Sequence, residues 1–172
     1  LQHALPASGG PCAIVPGGGE FADTARAAQA HWHFDDIHAH NMAVLGMAQF
    51  AEVLHALEPA LSIASDIPTL ATHLAAGHST IWRPLDLLRA RPDALTNWSV
   101  TSDSLALWLA GQLEAERLTL VKACANPEYA GWDDLARQGV VDNAFAGMAE
   151  TYASVAIDII TADAASHRIS NS

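Results

Sequence analysis

The fold is decided by the stretch CAIVPGGGEFADTAR at residues 12–26. Residues 12–15 form a short apolar run that ends at Pro16 and three glycines, which is typical of a buried strand running into a tight loop. Residues 20–30 are rich in alanine and begin with acidic side chains, which complement the positive end of a helix dipole. The stretch therefore predicts a strand, a glycine loop and a helix in succession.

Helix and strand patterns alternate along the rest of the chain. Helices are predicted at residues 20–30, 37–57, 67–76, 105–115, 133–138 and 144–153, and strands at 12–15, 61–64, 79–82, 118–123 and 155–161. This alternation predicts an α/β fold, a three-layer αβα sandwich with a mainly parallel central sheet. Ligands of such sheets lie at the carboxyl ends of the strands. We assign residues 1–164 to a single domain and residues 165–172 to a polar tail.

The helix predicted at residues 37–57 is apolar on nearly every face, and Asp35 or Asp36 is suited to cap its start. A helix of this kind must be buried on two sides. One side is expected to pack on the sheet and the other on a second subunit, which predicts a homo-oligomer. The alternative is a helix-rich core in a chain that does not pair.

The composition excludes some classes of partner. The 172 residues are 51% hydrophobic and carry a formal net charge of −11, which argues against binding to nucleic acid or to an anionic membrane. No uninterrupted apolar stretch reaches the roughly 20 residues that a membrane-spanning helix needs. Cys12 and Cys124 show neither a CxxC nor a Cys/His zinc spacing, and no signal peptide precedes them. We therefore expect a cytoplasmic protein.

Gly17, Gly18 and Gly19 stand directly after the first predicted strand. Residues without a Cβ let backbone N–H groups approach phosphate oxygens, and the helix that follows adds a favourable dipole. A simple turn explains the same glycines, and neither a P-loop motif nor GxGxxG occurs in the sequence. The loop is a candidate phosphate site with a structural alternative.

Two further candidates are the sequence TSDS at residues 101–104 and, separately, Lys122. In the first, hydroxyls can meet a ligand, and the carboxylate can hold Mg²⁺ or orient a lysine. The alternative is that Ser102 or Asp103 simply caps the following helix. Lys122 ends a predicted strand, where ligands are expected and an ammonium can stabilise a transferred phosphate. A solvated lysine at a strand end is its structural alternative.

The stretch HWHFDDIHAH at residues 31–40 is rich in potential metal ligands. Its composition suggests a transition metal, but no zinc framework flanks either HxH pair. Histidines beside a helix start more often bind substrate or face solvent. His40 is the member we single out, because it stands at the head of the long helix and close to the expected glycine loop.

Four segments occur in the order VPGGGEFADTAR (15–26), AHNMAVLGM (39–47), TSDSLALWLA (101–110) and LTLVKA (118–123). Together they resemble the amino-acid kinase superfamily, on its uridylate-kinase side, over about residues 12–160. Within it the chain is most similar to the (aminomethyl)furan phosphate kinase-like proteins of methanofuran-type cofactor biosynthesis. The resemblance implies an ATP-dependent phosphotransferase with Mg²⁺ that acts on a small phosphorylated metabolite in C1 metabolism.

The same resemblance implies roles for individual residues. Asp103 matches the acidic residue that organises the active site and would meet the metal, and Lys122 matches a nucleotide-facing lysine. Both are implied catalytic residues. The implied substrate-binding residues are Gly17, Gly18, Gly19, Arg26 and His40. The implied cofactor-binding residues are Ser102, Ser104 and Lys122.

The sequence departs from the family pattern in two places. The family opens with a strand and a Lys-x-Gly-Gly-Ser loop that contacts the transferred phosphoryl group, and this sequence begins with LQHALPASGG instead. The family's Asp-Gly motif after the lysine strand is replaced by residues 125–128, Ala-Asn-Pro-Glu. We expect either a truncated kinase or a catalytically impaired relative that binds or stores an anion or a metal.

Overall fold

The computed structural model describes residues 10–123 and 131–162. These residues form two compact units, the first of residues 10–98 and the second from residue 99 onward. The assignment of residues 1–164 to one domain stays a prediction. The predicted tail at 165–172, Cys124 and the substituted motif at 125–128 lie outside the described residues.

Each unit has a sheet in which all strands run parallel. The first unit has three short strands, in the order β1-β3-β2, and the second unit has two longer ones. The strands are β1 (Ala13–Ile14), β2 (Ser62–Ala64), β3 (Thr80–Trp82), β4 (Arg117–Lys122) and β5 (Ala156–Thr161). Ile81 of β3 lies opposite Ile14 and Ile63, and Lys122 of β4 lies opposite Thr161. The parallel pairing confirms the predicted α/β class, with the strands hydrogen-bonded as two sheets.

The helices follow the predicted positions, with ends displaced by a few residues at most. They are α1 (Gly19–Trp32), α2 (Asp36–Leu57) and α3 (Ile67–Ala75) in the first unit, and α4 (Ser102–Gln112), α5 (Trp132–Arg137) and α6 (Phe145–Thr151) in the second. A short 3₁₀ helix at Leu85–Leu87 was not predicted. No helix in the described ranges is long and apolar enough to cross a membrane.

Two residues fix the junction between α1 and α2. His33 ends α1 with a left-handed backbone, φ +55°, a conformation that is commonest at helix C-termini. Asp35 then caps α2, because its side chain accepts a hydrogen bond from the His38 backbone N–H at 3.2 Å. Of the two candidate caps, Asp35 is therefore the one that the structure uses, and Asp36 is the first helical residue.

The core of the first unit lies between its sheet and α2. Ile14 of β1 and Ile81 of β3 pack with Ala51 and Leu54 of α2, and all four are almost completely buried. The opposite face of α2 carries apolar side chains that remain exposed. These are Met42, Leu45, Val53 and Leu57. In this chain α2 is therefore buried on one side and presents an apolar stripe on the other.

The second unit packs its helices through buried apolar side chains. Leu107 of α4, Leu135 of α5 and Phe145 of α6 are fully buried, and the Phe145 ring meets the Trp132 ring edge to face at 5.2 Å between centroids. Such a pair adds about 0.5 to 1.5 kcal/mol beyond the area that it buries. This core supports α4, whose first turn carries the candidate site residue Asp103.

Candidate functional site

The glycine turn, residues 17–19, leads from β1 into α1. Gly19 has φ +49°, a left-handed conformation that side chains with a Cβ rarely adopt. A Cβ on Gly18 would lie 2.4 Å from the Cβ of Ala22, which is a steric clash. The geometry of the turn thus accounts for Gly18 and Gly19 without a ligand. Their role in holding a phosphate, with Gly17, stays a prediction.

Arg26 lies on α1 and stacks on an aromatic ring. Its guanidinium carbon is 4.5 Å from the centroid of the Trp98 ring, and its Nη1 is 2.9 Å from Oδ1 of Asp23. The Trp98 indole N–H donates to Oε1 of Gln29 at 2.5 Å, which fixes the ring plane. Half of the Arg26 side chain remains exposed. Arg26 is therefore oriented on a fixed platform and is accessible to an anion.

His40, the residue singled out of the histidine-rich stretch, is buried in the first unit. Its Nε2 is 3.0 Å from the backbone carbonyl of Leu87, and since a carbonyl can only accept, Nε2 carries the proton of this bond. Through this hydrogen bond His40 links α2 to the 3₁₀ helix. Its contact with substrate stays a prediction.

The other members of the histidine-rich stretch are exposed. His38 pairs with Asp35 at 2.5 Å between Nδ1 and Oδ1, and His31 packs edge to face against the exposed Trp32. Within residues 10–123 and 131–162, no three His, Cys, Asp or Glu side chains are close enough to hold a metal ion. The described geometry therefore does not support the transition-metal reading of this stretch.

Asp103 and Lys122, two residues singled out in the sequence, meet in the second unit. Lys122 ends β4, and its Nζ lies 2.7 Å and 2.6 Å from the two carboxylate oxygens of Asp103 in the first turn of α4. Only 11% of the Lys122 side chain and 8% of the Asp103 side chain are exposed. Lys122 is also the one lysine of the 172-residue sequence. We call these two residues the Asp103–Lys122 pair.

Burial dominates the electrostatics of this pair. It raises the pKa of Asp103 above that of an ordinary aspartate, while the Lys122 ammonium lowers it and the nearby carboxylate of Asp142 raises it. Both oxygens of Asp103 accept hydrogen bonds from Lys122. In this arrangement the carboxylate orients the lysine, and its contact with Mg²⁺ stays a prediction.

The structural alternative, that Ser102 or Asp103 caps α4, is wrong, because Asp142 performs this function. Thr101 occupies the cap position without a side-chain cap bond, and the Asp142 carboxylate accepts the backbone N–H of Ser104 at 3.1 Å. Sequence reasoning missed Asp142 because it follows the unremarkable segment Gly-Val-Val and lies 38 residues from Ser104. No local pattern links the two positions.

The two serines beside Asp103 differ in accessibility. Ser104 is fully buried and its hydroxyl donates to Oδ1 of Asp142 at 2.5 Å, so it is engaged within the protein. Ser102 is the first residue of α4 and is partly exposed. Of the two predicted cofactor contacts, Ser102 is the more accessible, and both stay predictions.

The chain has the fold of a solved uridylate kinase and a solved UMP kinase, which supports the predicted amino-acid-kinase-like α/β fold. A uridylate kinase from Archaeoglobus fulgidus matches with a TM-score of 0.63 and 14% identity, over 92% of this chain and 80% of that one. UMP kinase from Bacillus anthracis matches with a TM-score of 0.59 and 16% identity, over 88% of this chain and 70% of that one. At these identities the likeness establishes the fold. No protein-family model matches the sequence, and no curated protein is significantly similar to it.

Proposed function

We propose that this protein is an ATP-dependent phosphotransferase that acts on a small phosphorylated metabolite. The observation that carries the proposal is the Asp103–Lys122 pair, in which the one lysine of the chain is held almost completely buried at the carboxyl end of a parallel strand. A buried ammonium is costly unless it is paired. Its place at a strand end, in a fold shared with a uridylate kinase and a UMP kinase, supports a role in binding phosphate charge.

The proposed chemistry is a direct in-line transfer without a covalent enzyme intermediate. Bound ATP and Mg²⁺ would supply the phosphoryl group and neutralise part of its charge. Lys122, oriented by Asp103, stabilises the negative charge of the phosphoryl group in transfer. Arg26 binds the phosphate of the acceptor, because a guanidinium matches phosphate oxygens in charge and geometry. The backbone of the glycine turn completes the binding of that phosphate.

Two acceptors are worth testing first. The sequence resemblance suggests an (aminomethyl)furan phosphate, as in methanofuran or tetrahydromethanopterin-linked C1 metabolism. The structural neighbours are a uridylate kinase and a UMP kinase, which suggests UMP. Both acceptors are small phosphate monoesters, so both fit the proposed role of Arg26.

The test is Mg²⁺-dependent release of ADP from ATP by the purified chain, with each acceptor in turn. Turnover with either acceptor supports the proposal and identifies the better substrate. The family's Asp-Gly motif is replaced by Ala-Asn-Pro-Glu at residues 125–128, which favours a second candidate, a kinase-like protein that binds or stores an anion or a metal. Stoichiometric bound anion or metal by elemental analysis, with no turnover, would replace the first proposal by the second.

Replacing Arg26 by glutamine is expected to raise the KM for the acceptor about 10- to 100-fold, because a charge-assisted hydrogen bond to phosphate contributes about 1.5 to 3 kcal/mol. The KM for ATP should stay within about threefold of the wild-type value. Steady-state kinetics with both substrates varied measures the two effects. Arg137→Gln is the matched control, because Arg137 is exposed on α5 and pairs with Asp134 at the surface. An unchanged acceptor KM in Arg26→Gln would remove Arg26 from the site.

We also propose that the chain forms a homo-oligomer through residues 37–57. The support is the exposed apolar stripe of α2, since two copies of one such stripe can pack against each other around a two-fold axis. Replacing Leu45 by aspartate is expected to reduce the mass measured by light scattering to that of a single chain, whereas Ala71→Asp on the exposed surface of α3 should not. A wild-type mass equal to one chain would refute the proposal.

A further inference from the structure

We propose that Asp142 is a positioning residue, which fixes the first turn of α4 and thereby sets where Asp103 holds the ammonium of Lys122. This inference rests on the proposed phosphotransferase function, in which Lys122 stabilises the transferred group. Asp142 lies in the segment between α5 and α6 and does not itself contact Lys122 among the described hydrogen bonds. Its backbone N–H donates to the Asp103 carboxylate, so Asp142 acts on the Asp103–Lys122 pair both directly and through the first turn of α4.

The carboxylate of Asp142 accepts four hydrogen bonds from the start of α4. Its Oδ2 accepts the backbone N–H groups of Thr101 at 2.7 Å and Ser104 at 3.1 Å, and the Thr101 hydroxyl at 3.0 Å. Its Oδ1 accepts the Ser104 hydroxyl at 2.5 Å. Hydrogen bonds to an ionised acceptor are roughly twice as strong as neutral ones. One side chain thus holds residues on both sides of Asp103.

This support matters because the first turn of a helix lacks internal partners for its N–H groups. Without an external acceptor the turn can fray, and the Asp103 carboxylate would move with it. Asp142 is itself fixed, since its backbone carbonyl accepts from the Phe145 N–H at 3.2 Å and the neighbouring Ala144 N–H donates to Ser99 at 2.9 Å. A fixed loop therefore sets the position of Asp103, and Asp103 sets that of Lys122.

Because Lys122 is the one lysine of the sequence, its accessibility can be measured directly by chemical modification. The purified chain is treated with an amine-acylating reagent, and the rate of modification at Lys122 is followed by peptide mass spectrometry. Asp142→Ala is expected to raise this rate about tenfold, because the ammonium loses its fixed partner. Asp142→Asn retains an acceptor oxygen for the two N–H groups and should stay within about twofold of the wild type. Asparagine also restores the cap of α4 and its stability, so the kcat of the folded fraction is the readout that separates positioning from stability.

Kinetics provides a second readout for the same variants. With Asp142→Ala we expect kcat to fall about 10- to 100-fold, since small misplacements of a reacting group have effects of this size, while the KM for the acceptor changes less than threefold. If the wild type shows no turnover, the proposed function fails, and the acylation rates still decide the role of Asp142. If Asp142→Ala does not fold, Ser104→Ala takes its place with an expected rise of about threefold. Equal acylation rates in the wild type and the folded variant would overturn the inference.

Discussion

Replacing Lys122 by methionine is expected to lower the free energy of unfolding by about 3 to 5 kcal/mol at neutral pH, because it leaves Asp103 buried without a partner. The two side chains are almost completely shielded from water, so solvent cannot replace the lost ammonium. Equilibrium unfolding in urea measures the change. The same variant should lose the proposed transfer activity, whereas a purely structural lysine would not affect turnover of the folded fraction.

The loss of stability should depend on pH. Burial already raises the pKa of Asp103, and the Lys122 ammonium lowers it, so removing Lys122 raises this pKa further. A carboxyl whose pKa is higher in the folded state favours folding below its unfolded pKa, and this contribution is lost as the pH rises through its folded pKa. The penalty in Lys122→Met should therefore shrink as the pH falls into the acid range.

Arg117→Met is the matched control for Lys122→Met, because Arg117 begins the same strand and also pairs with an aspartate, Asp158. That pair is largely exposed, and exposed pairs typically contribute less than about 1 kcal/mol. Equal losses in the two variants would show that the Asp103–Lys122 pair has no special role in stability.

Replacing Gly46 by alanine is expected to destabilise the protein by about 1 to 3 kcal/mol, since overpacking against a fixed backbone has costs of this size. Gly46 lies where α2 crosses α1, and a Cβ there would be 3.1 Å from the backbone nitrogen of Ala22 and 3.2 Å from the carbonyl carbon of Phe21. The backbone of α1 would have to move away. Thermal and urea unfolding measure the loss.

The control for this variant is Gly147→Ala in α6, where a Cβ would meet no atom within 4 Å. At an open helical position alanine should stabilise by about 0.4 to 1 kcal/mol, because it restricts the unfolded chain. The same substitution is therefore expected to lower the free energy of unfolding at Gly46 and to raise it at Gly147. A stabilising effect at Gly46 would contradict the close packing of the two helices.

Most of the helices and strands could be predicted from the sequence, because the patterns that indicate them are local. Glycine and proline punctuate the chain at residues 16–19, and α2 has its cap, Asp35, directly before its first turn. Such patterns act over three or four residues and can be read directly. The 3₁₀ helix at Leu85–Leu87 was missed because three residues are too few to show a helical period.

The candidate site could be predicted only in part from the sequence, because its contacts join residues that are distant in the chain. Asp103 and Lys122 were singled out separately, from a helix start and from a strand end, and 19 residues separate them. Trp98 was not recognised as the platform for Arg26, nor Asp142 as the cap of α4. Both contacts depend on tertiary packing, for which a single sequence carries no pattern.

The two faces of α2 have a thermodynamic consequence. One face packs Ala51 and Leu54 against Ile14, the strand residue that leads into the glycine turn, and the other presents Leu45 and Val53 to the surface. Close-packed side chains transmit a displacement rather than absorb it. If the glycine turn binds phosphate as proposed, a partner that shifts α2 through its exposed face would alter the affinity of the turn for that phosphate. By reciprocity, the phosphate would alter the affinity for that partner to the same degree.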